Sequence, residues 1–294
     1  MALNAIIFDV DGTIAETDEI HRAAFNLSFR DKELRWHWSH SVYARLSDAQ
    51  TPQEKLHKFI TEFRSDDLDD MIASGMFDAV VARANRHFNH LIESGSVSLR
   101  PGVARVIKEA RNARVKLALC TVSPVQSFEV LLQNHFGLSA LDIFDTVTTR
   151  ETLSPGADTL TAYQTTIQRL GCAASDCVAI DDSELGVNAA RAAGMFVLAT
   201  PGIYTCSGDF SQADLVISDL GHPAAPFQLI RGDTAMHNFV SIDAMETWSD
   251  NLDRSQRDSD LRVRRVEPLG NVGSWRVAQN PSDLAGNARL DLSR

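Results

Sequence analysis

Asn4-Ala5-Ile6-Ile7-Phe8-Asp9-Val10-Asp11-Gly12-Thr13 is a short apolar run ending in acids, the form a buried parallel strand takes at the carboxyl edge of a sheet. Similar runs recur at Lys116 to Thr121, Ile143 to Thr148, Cys177 to Asp181 and Met195 to Thr200, with a weaker one at Ala213 to Ser218. Helix-length amphipathic stretches separate them: Pro101 to Ala113, Val125 to Phe136, Asp158 to Leu170 and Ser183 to Ala193. Strands that alternate with helices imply right-handed crossovers, so the expected class is α/β, a doubly wound parallel sheet covered on both faces.

The alternation breaks between about Glu16 and Glu93, where helical periods run over Thr51 to Arg64 and Leu68 to Ile92 and no strand is evident. The expected organisation is therefore a core of residues 1–15 and 96–231 with a helical cap, 16–95, inserted after the first strand. Its entry point is the edge where doubly wound sheets bind ligands, which suits a lid and equally a packing subdomain. From Gly232 to the end, polar residues dominate with scattered apolar ones, and a poorly ordered or loosely docked extension is expected; Trp248 and Trp275 argue for some docking on the core.

Composition narrows the function. The 28 Lys and Arg against 39 Asp and Glu give a formal net charge of -11, which repels a nucleic-acid backbone or an anionic lipid surface. No window approaches the ~18 apolar residues of a membrane span. No basic segment precedes the first apolar run, as a secretory signal would require. The expectation is a cytoplasmic monomer, or one in an organelle stroma after loss of a transit peptide, with no nucleic-acid or membrane partner. The four cysteines lack metal or redox spacing and read as reduced thiols.

The acids carry the chemistry. Asp9 and Asp11, two apart at a strand exit, can both face the crevice beyond the sheet, and Gly12 lets backbone approach a ligand closely. Carboxylates that close raise each other's pKa unless a cation lies between them, and a hard ion with oxygen ligands, Mg²⁺, resolves the conflict. One acid can then serve as nucleophile and the other as acid and base. Asp181-Asp182-Ser183 repeats the layout at a second strand end on the same edge, so Asp182, and Asp181 with it, can complete an oxygen cage with Asp9. Capping of the next helix by Asp182 or Ser183 accounts for one of these residues, not for both acids. Between the pairs, Leu117 to Ser123 brings the Thr121 hydroxyl and loop N–H groups to that edge, neutral donors suited to phosphate oxygens.

With these residues in place the chain resembles the haloacid dehalogenase-like phosphatases, and among them the CbbY-type sugar-phosphate phosphatases related to β-phosphoglucomutase. The resemblance covers about Ala5 to Ser218. It rests on Phe8 to Thr13, Glu19-Ile20-His21-Arg22 with Ala24-Phe25-Asn26, Leu99 to Val103, Thr121, Asp181-Asp182-Ser183 with Gly186, Ala192-Ala193-Gly194 and Pro201 to Thr205. It implies Asp9 as the phosphoryl-accepting nucleophile and Asp11 as general acid and base. It implies Mg²⁺ held by Asp9, the Asp11 main-chain carbonyl and Asp182, with Asp181 assisting. Thr121 and Ser123 would meet the phosphoryl group, and Glu16 and His21 the sugar of a small phosphorylated substrate.

One departure stands out. The resemblance implies a lysine before a proline ahead of the helix that follows the third strand, where Ser154-Pro155 stands here, and no lysine occurs after Lys116. Arg150 is the nearest cation in sequence. A glycine-lysine loop of the cap is likewise Thr51-Pro52-Gln53-Glu54. Two functions follow: a Mg²⁺-dependent phosphatase, or an impaired relative that binds a phosphorylated ligand or a protein. Trp36-His37-Trp38-Ser39-His40 reads as packing rather than as a metal site.

Overall fold

The computed structural model describes residues 3–251 apart from 48, 50, 96 and 122. Its strands are β1 (Ala5–Phe8), β2 (Lys116–Cys120), β3 (Thr146–Thr148), β4 (Cys177–Asp181), β5 (Phe196–Ala199), β6 (Leu215–Ile217) and β7 (Leu229–Arg231). Its helices are α1 (Thr17–Asp31), α2 (His40–Ala44), α3 (Pro52–Phe63), α4 (Leu68–Ala73), α5 (Met76–Glu93), α6 (Val103–Ala113), α7 (Val125–Phe136), α8 (Thr159–Leu170), α9 (Glu184–Ala192) and α10 (Ile242–Asn251). The sheet runs β3-β2-β1-β4-β5-β6-β7, parallel except for the antiparallel edge strand β7. This is the doubly wound α/β fold expected from the sequence.

Strands β1 and β4 read as unbroken apolar runs because both of their faces are covered. Ile6, Phe8, Val178 and Ile180 pack into one core layer, Ala5, Ile7, Cys177 and Ala179 into the other. In-register pairing sets Phe8 beside Leu119 of β2 and Ile180 of β4, so the residues after each strand emerge side by side on one edge.

Helices α1 to α5 follow β1 with no strand among the described residues between them, and they hold a core of their own. Phe25, Phe29, Trp38, Tyr43 and Phe59 form an aromatic cluster, with Phe25 and Trp38 rings 4.3 Å apart. Trp38, fully buried, is thus a packing residue. The single expected helix over Leu68 to Ile92 is two, broken at Gly75, whose φ of +69° ends the first. Thr51-Pro52-Gln53-Glu54 forms a capping box with proline in the first turn of α3.

The expectation of a loosely held extension from Gly232 does not hold over residues 232–251. Val240, Ala244, Met245 and Trp248 are buried in the main core layer, and the Trp248 indole N–H donates to the Thr234 carbonyl at 2.8 Å. Burial of one large aromatic and its helix neighbours supplies enough apolar contact to dock the segment. The remainder, with Trp275, lies outside the described residues.

Candidate active site

Asp9 follows β1 directly, and Asp181 ends β4 with Asp182 next in the chain; one carboxylate oxygen from each lies within 4.8 Å of the others. Asp181 and Asp182 are 3% exposed. Burial is the main reason that the Asp9 and Asp182 pKa values are raised well above the ordinary aspartate value; repulsion from Asp181 and Asp182 adds to it at Asp9, and repulsion from Asp181 and Asp18 at Asp182. Asp181 is raised as well, chiefly by burial, against the hydrogen bonds it accepts. Two buried acids and the half-buried Asp9, which resist ionisation together, form a site that gains from a hard cation, and an all-oxygen donor set suits Mg²⁺.

Each acid is held by different neighbours. One oxygen of Asp181 accepts from the Tyr163 hydroxyl at 2.6 Å, the other from the Ser183 N–H and hydroxyl, both at 2.9 Å. Ser183 also caps α9, accepting from the Gly186 N–H at 3.0 Å, so the capping role falls to the serine. Asp182 accepts from Thr205 Oγ1 at 2.9 Å and from Thr13 Oγ1 at 3.5 Å. Two glycines make room: a Cβ on Gly12, where φ is +82°, would collide with the Asp182 carboxylate, and one on Gly186 with that of Asp181.

Asp11 is not one of the three clustered acids, although its charge acts on Asp9. Its carboxylate accepts from the Thr17 hydroxyl at 2.5 Å and from the Ser123 hydroxyl. Thr121 is 4% exposed, and its hydroxyl accepts from the Ser123 N–H at 3.1 Å. Asp9, Asp11, Thr121, Ser123, Asp181 and Asp182 are therefore gathered at one sheet edge.

The remaining expected residues lie outside the three-acid cluster. His21 stacks on Phe88 with ring centroids 4.0 Å apart; burial lowers its pKa, against the pull of Asp11 and Asp18. Glu16 lies 3.4 Å from Arg100 and accepts from the Ile203 N–H; burial raises its pKa against the Arg100 charge. Arg150 and Ser154 are exposed, on the turn after β3 and in the loop that leads to α8. The strongest charges acting on Asp9 are those of Asp181, Asp182 and Asp11, and the cation acting on Asp182 is Arg100.

Sequence reading gave Arg100, Tyr163 and Thr205 no role. The Arg100 guanidinium, 7% exposed, donates to the carbonyls of Gly12, Thr200 (2.5 Å), Pro201 (3.2 Å) and Ser218 (2.7 Å). It thereby ties together the loops after β1, β5 and β6. The available signal was an arginine set directly before Pro101-Gly102.

A family model for haloacid dehalogenase-like hydrolases matches residues 3–194. The plasmid-encoded CbbY protein of Cupriavidus necator is 35% identical over 247 residues, 84% of this chain and 96% of that protein. The CbbY protein of Rhodobacter capsulatus is 37% identical over 76% of this chain and 96% of its own. Among solved structures, an aspartate-to-asparagine variant of Rhodobacter sphaeroides CbbY in complex with xylulose-(1,5)bisphosphate superposes with a TM-score of 0.64 at 29% identity, over 76% of this chain and 98% of that one.

Proposed function

Because the chain belongs to the haloacid dehalogenase-like hydrolase family, we propose that it is a Mg²⁺-dependent phosphatase of a small sugar phosphate or bisphosphate, with Asp9 as phosphoryl acceptor. The observation that carries this reading is the meeting of Asp9, Asp181 and Asp182 oxygens within 4.8 Å beside Asp11. The Asp9 and Asp182 carboxylates and the Asp11 main-chain carbonyl would hold the ion. Asp181, with both oxygens already accepting hydrogen bonds, supports from behind. Bound Mg²⁺ would keep the acids ionised and draw charge from the phosphoryl oxygens.

An Asp9 oxygen attacks phosphorus, and the bond from phosphorus to the sugar oxygen breaks as that oxygen takes a proton from Asp11. Water then attacks the phosphorus of the acyl phosphate, gives its proton to Asp11, and frees both inorganic phosphate and Asp9. The Thr17 and Ser123 hydroxyls hold Asp11 in place for both transfers. Thr121, whose hydroxyl accepts the Ser123 N–H, donates its own proton to a phosphoryl oxygen. The helical insertion acts as the cap, with Glu16 and His21 toward the sugar. Support for a bisphosphate comes from the CbbY neighbour solved with one.

The test is phosphate release from a panel of sugar phosphates that includes xylulose 1,5-bisphosphate. Release that requires Mg²⁺ and stops on chelation is expected; none across the panel would overturn the reading. The exposed serine at position 154 and the three acids that act most strongly on Asp9 favour a second reading, binding without fast turnover. On that reading Ser154→Lys raises release by ~10²-fold or more, the usual worth of one charged donor to a transition-state oxygen.

A further inference from the structure

The segment Pro201-Gly202-Ile203-Tyr204-Thr205-Cys206, between β5 and β6, touches both the carboxylate cluster and the helical insertion through adjacent residues. Tyr204, 4% exposed, is buried in the aromatic cluster of the insertion, edge-on to Tyr43 at 4.8 Å between centroids. Its hydroxyl donates to Glu19 of α1, which Arg22 also grips through Nε at 2.9 Å. The next residue, Thr205, accepts the Gly202 N–H on its hydroxyl at 2.8 Å, so its single hydroxyl proton is directed to Asp182 Oδ2 at 2.9 Å.

Little slack lies between these contacts. The Cys206 N–H donates to the Gly202 carbonyl at 3.1 Å and closes the turn. Arg100 holds the Pro201 carbonyl at 3.2 Å. Gly202 is wedged so that a Cβ there would lie 3.1 Å from Glu16 and 3.5 Å from Asp182. A shift of the insertion that drew Tyr204 with it would therefore move Thr205 and release one oxygen of Asp182.

We infer that Tyr204 and Thr205 are positioning residues that couple the seating of the helical insertion to the orientation of Asp182 and hence to metal affinity, an inference that rests on the metal site proposed above. Coupling of this kind is reciprocal: what fixes the insertion aids the ion, and what fixes Asp182 aids the insertion.

The test is Mg²⁺ titration calorimetry on the full chain for the wild type, Tyr204→Ala, Thr205→Val and the double variant, with Tyr204→Phe as the conservative change. Tyr204→Ala and Thr205→Val should each weaken Mg²⁺ binding by about 5-fold or more, the low end of measured couplings. The double variant should be no weaker than the worse single, and Tyr204→Phe, which keeps the ring seated, should recover most of the loss. Losses that multiply in the double variant, or wild-type affinity in Tyr204→Ala, would overturn the coupling and leave the phosphatase reading intact. If the wild type takes up no Mg²⁺, the metal assignment fails, and the coupling is decided by amide exchange at His40–Ala44 in metal-free protein. Several-fold faster exchange there in Thr205→Val supports it, and unchanged exchange overturns it.

Discussion

Asp9→Asn is expected to remove phosphate release almost completely, by about 10⁴-fold or more, the scale of losing a nucleophile that works as a unit with its partners. The same substitution should raise the melting temperature of the metal-free protein. Burial, then repulsion from Asp181, Asp182 and Asp11, holds the Asp9 pKa above its ordinary value of 3.8. A carboxyl raised on folding gives stability that is complete below the unfolded pKa and lost as the pH rises through the folded one. At neutral pH the native aspartate therefore bears a cost that asparagine does not. The gain should be a few degrees at pH 7 and should vanish below about pH 4, where both states of the wild type hold the proton. Calorimetric melting in chelator across that range, beside the release assay, checks both halves. A variant that loses activity and also melts lower at pH 7 would mean that Asp9 is a packing residue.

Arg100→Met is expected to cost about 3 kcal/mol or more in urea unfolding, because it strands four carbonyl acceptors from three loops; Glu16, 32% exposed, loses its cation but keeps contact with water. Arg100→Lys should regain only part of this, since one ammonium cannot match a planar fork that spans the Gly12, Thr200, Pro201 and Ser218 carbonyls. A loss under ~1 kcal/mol would show that the loops hold without it.

Much of this was legible in the sequence for a local reason. A strand buried on both faces must be apolar throughout, so β1, β2, β4 and β5 announce themselves, and acids at the ends of β1 and β4 must share an edge once those strands are parallel neighbours. Ser183 is local to Asp181, but two other neutral groups that hold those acids are not. Tyr163 lies 18 residues from Asp181 and Thr205 lies 23 from Asp182, and neither differs in type from ordinary core or loop residues. The docked segment before Asn251 was obscured differently: Val240, Ala244, Met245 and Trp248 fall at helical spacing, but the acids and serines between them mask it. Ser154 carries no charge, and only the fold shows it exposed in the loop before α8, whose own cap is Asp158.

The central claim is that the oxygens of Asp9 and Asp182 share one magnesium ion and that Asp9 carries the phosphoryl group. A crystal structure of the protein grown with Mg²⁺ and beryllium fluoride, a mimic of the phosphorylated aspartate, tests it most directly. The prediction is a fluoride-bearing beryllium on an Asp9 oxygen and an ion at about 2.0–2.1 Å from oxygens of both Asp9 and Asp182. Beryllium on Asp11 instead, or an Asp182 that contributes no oxygen to the ion, would contradict it.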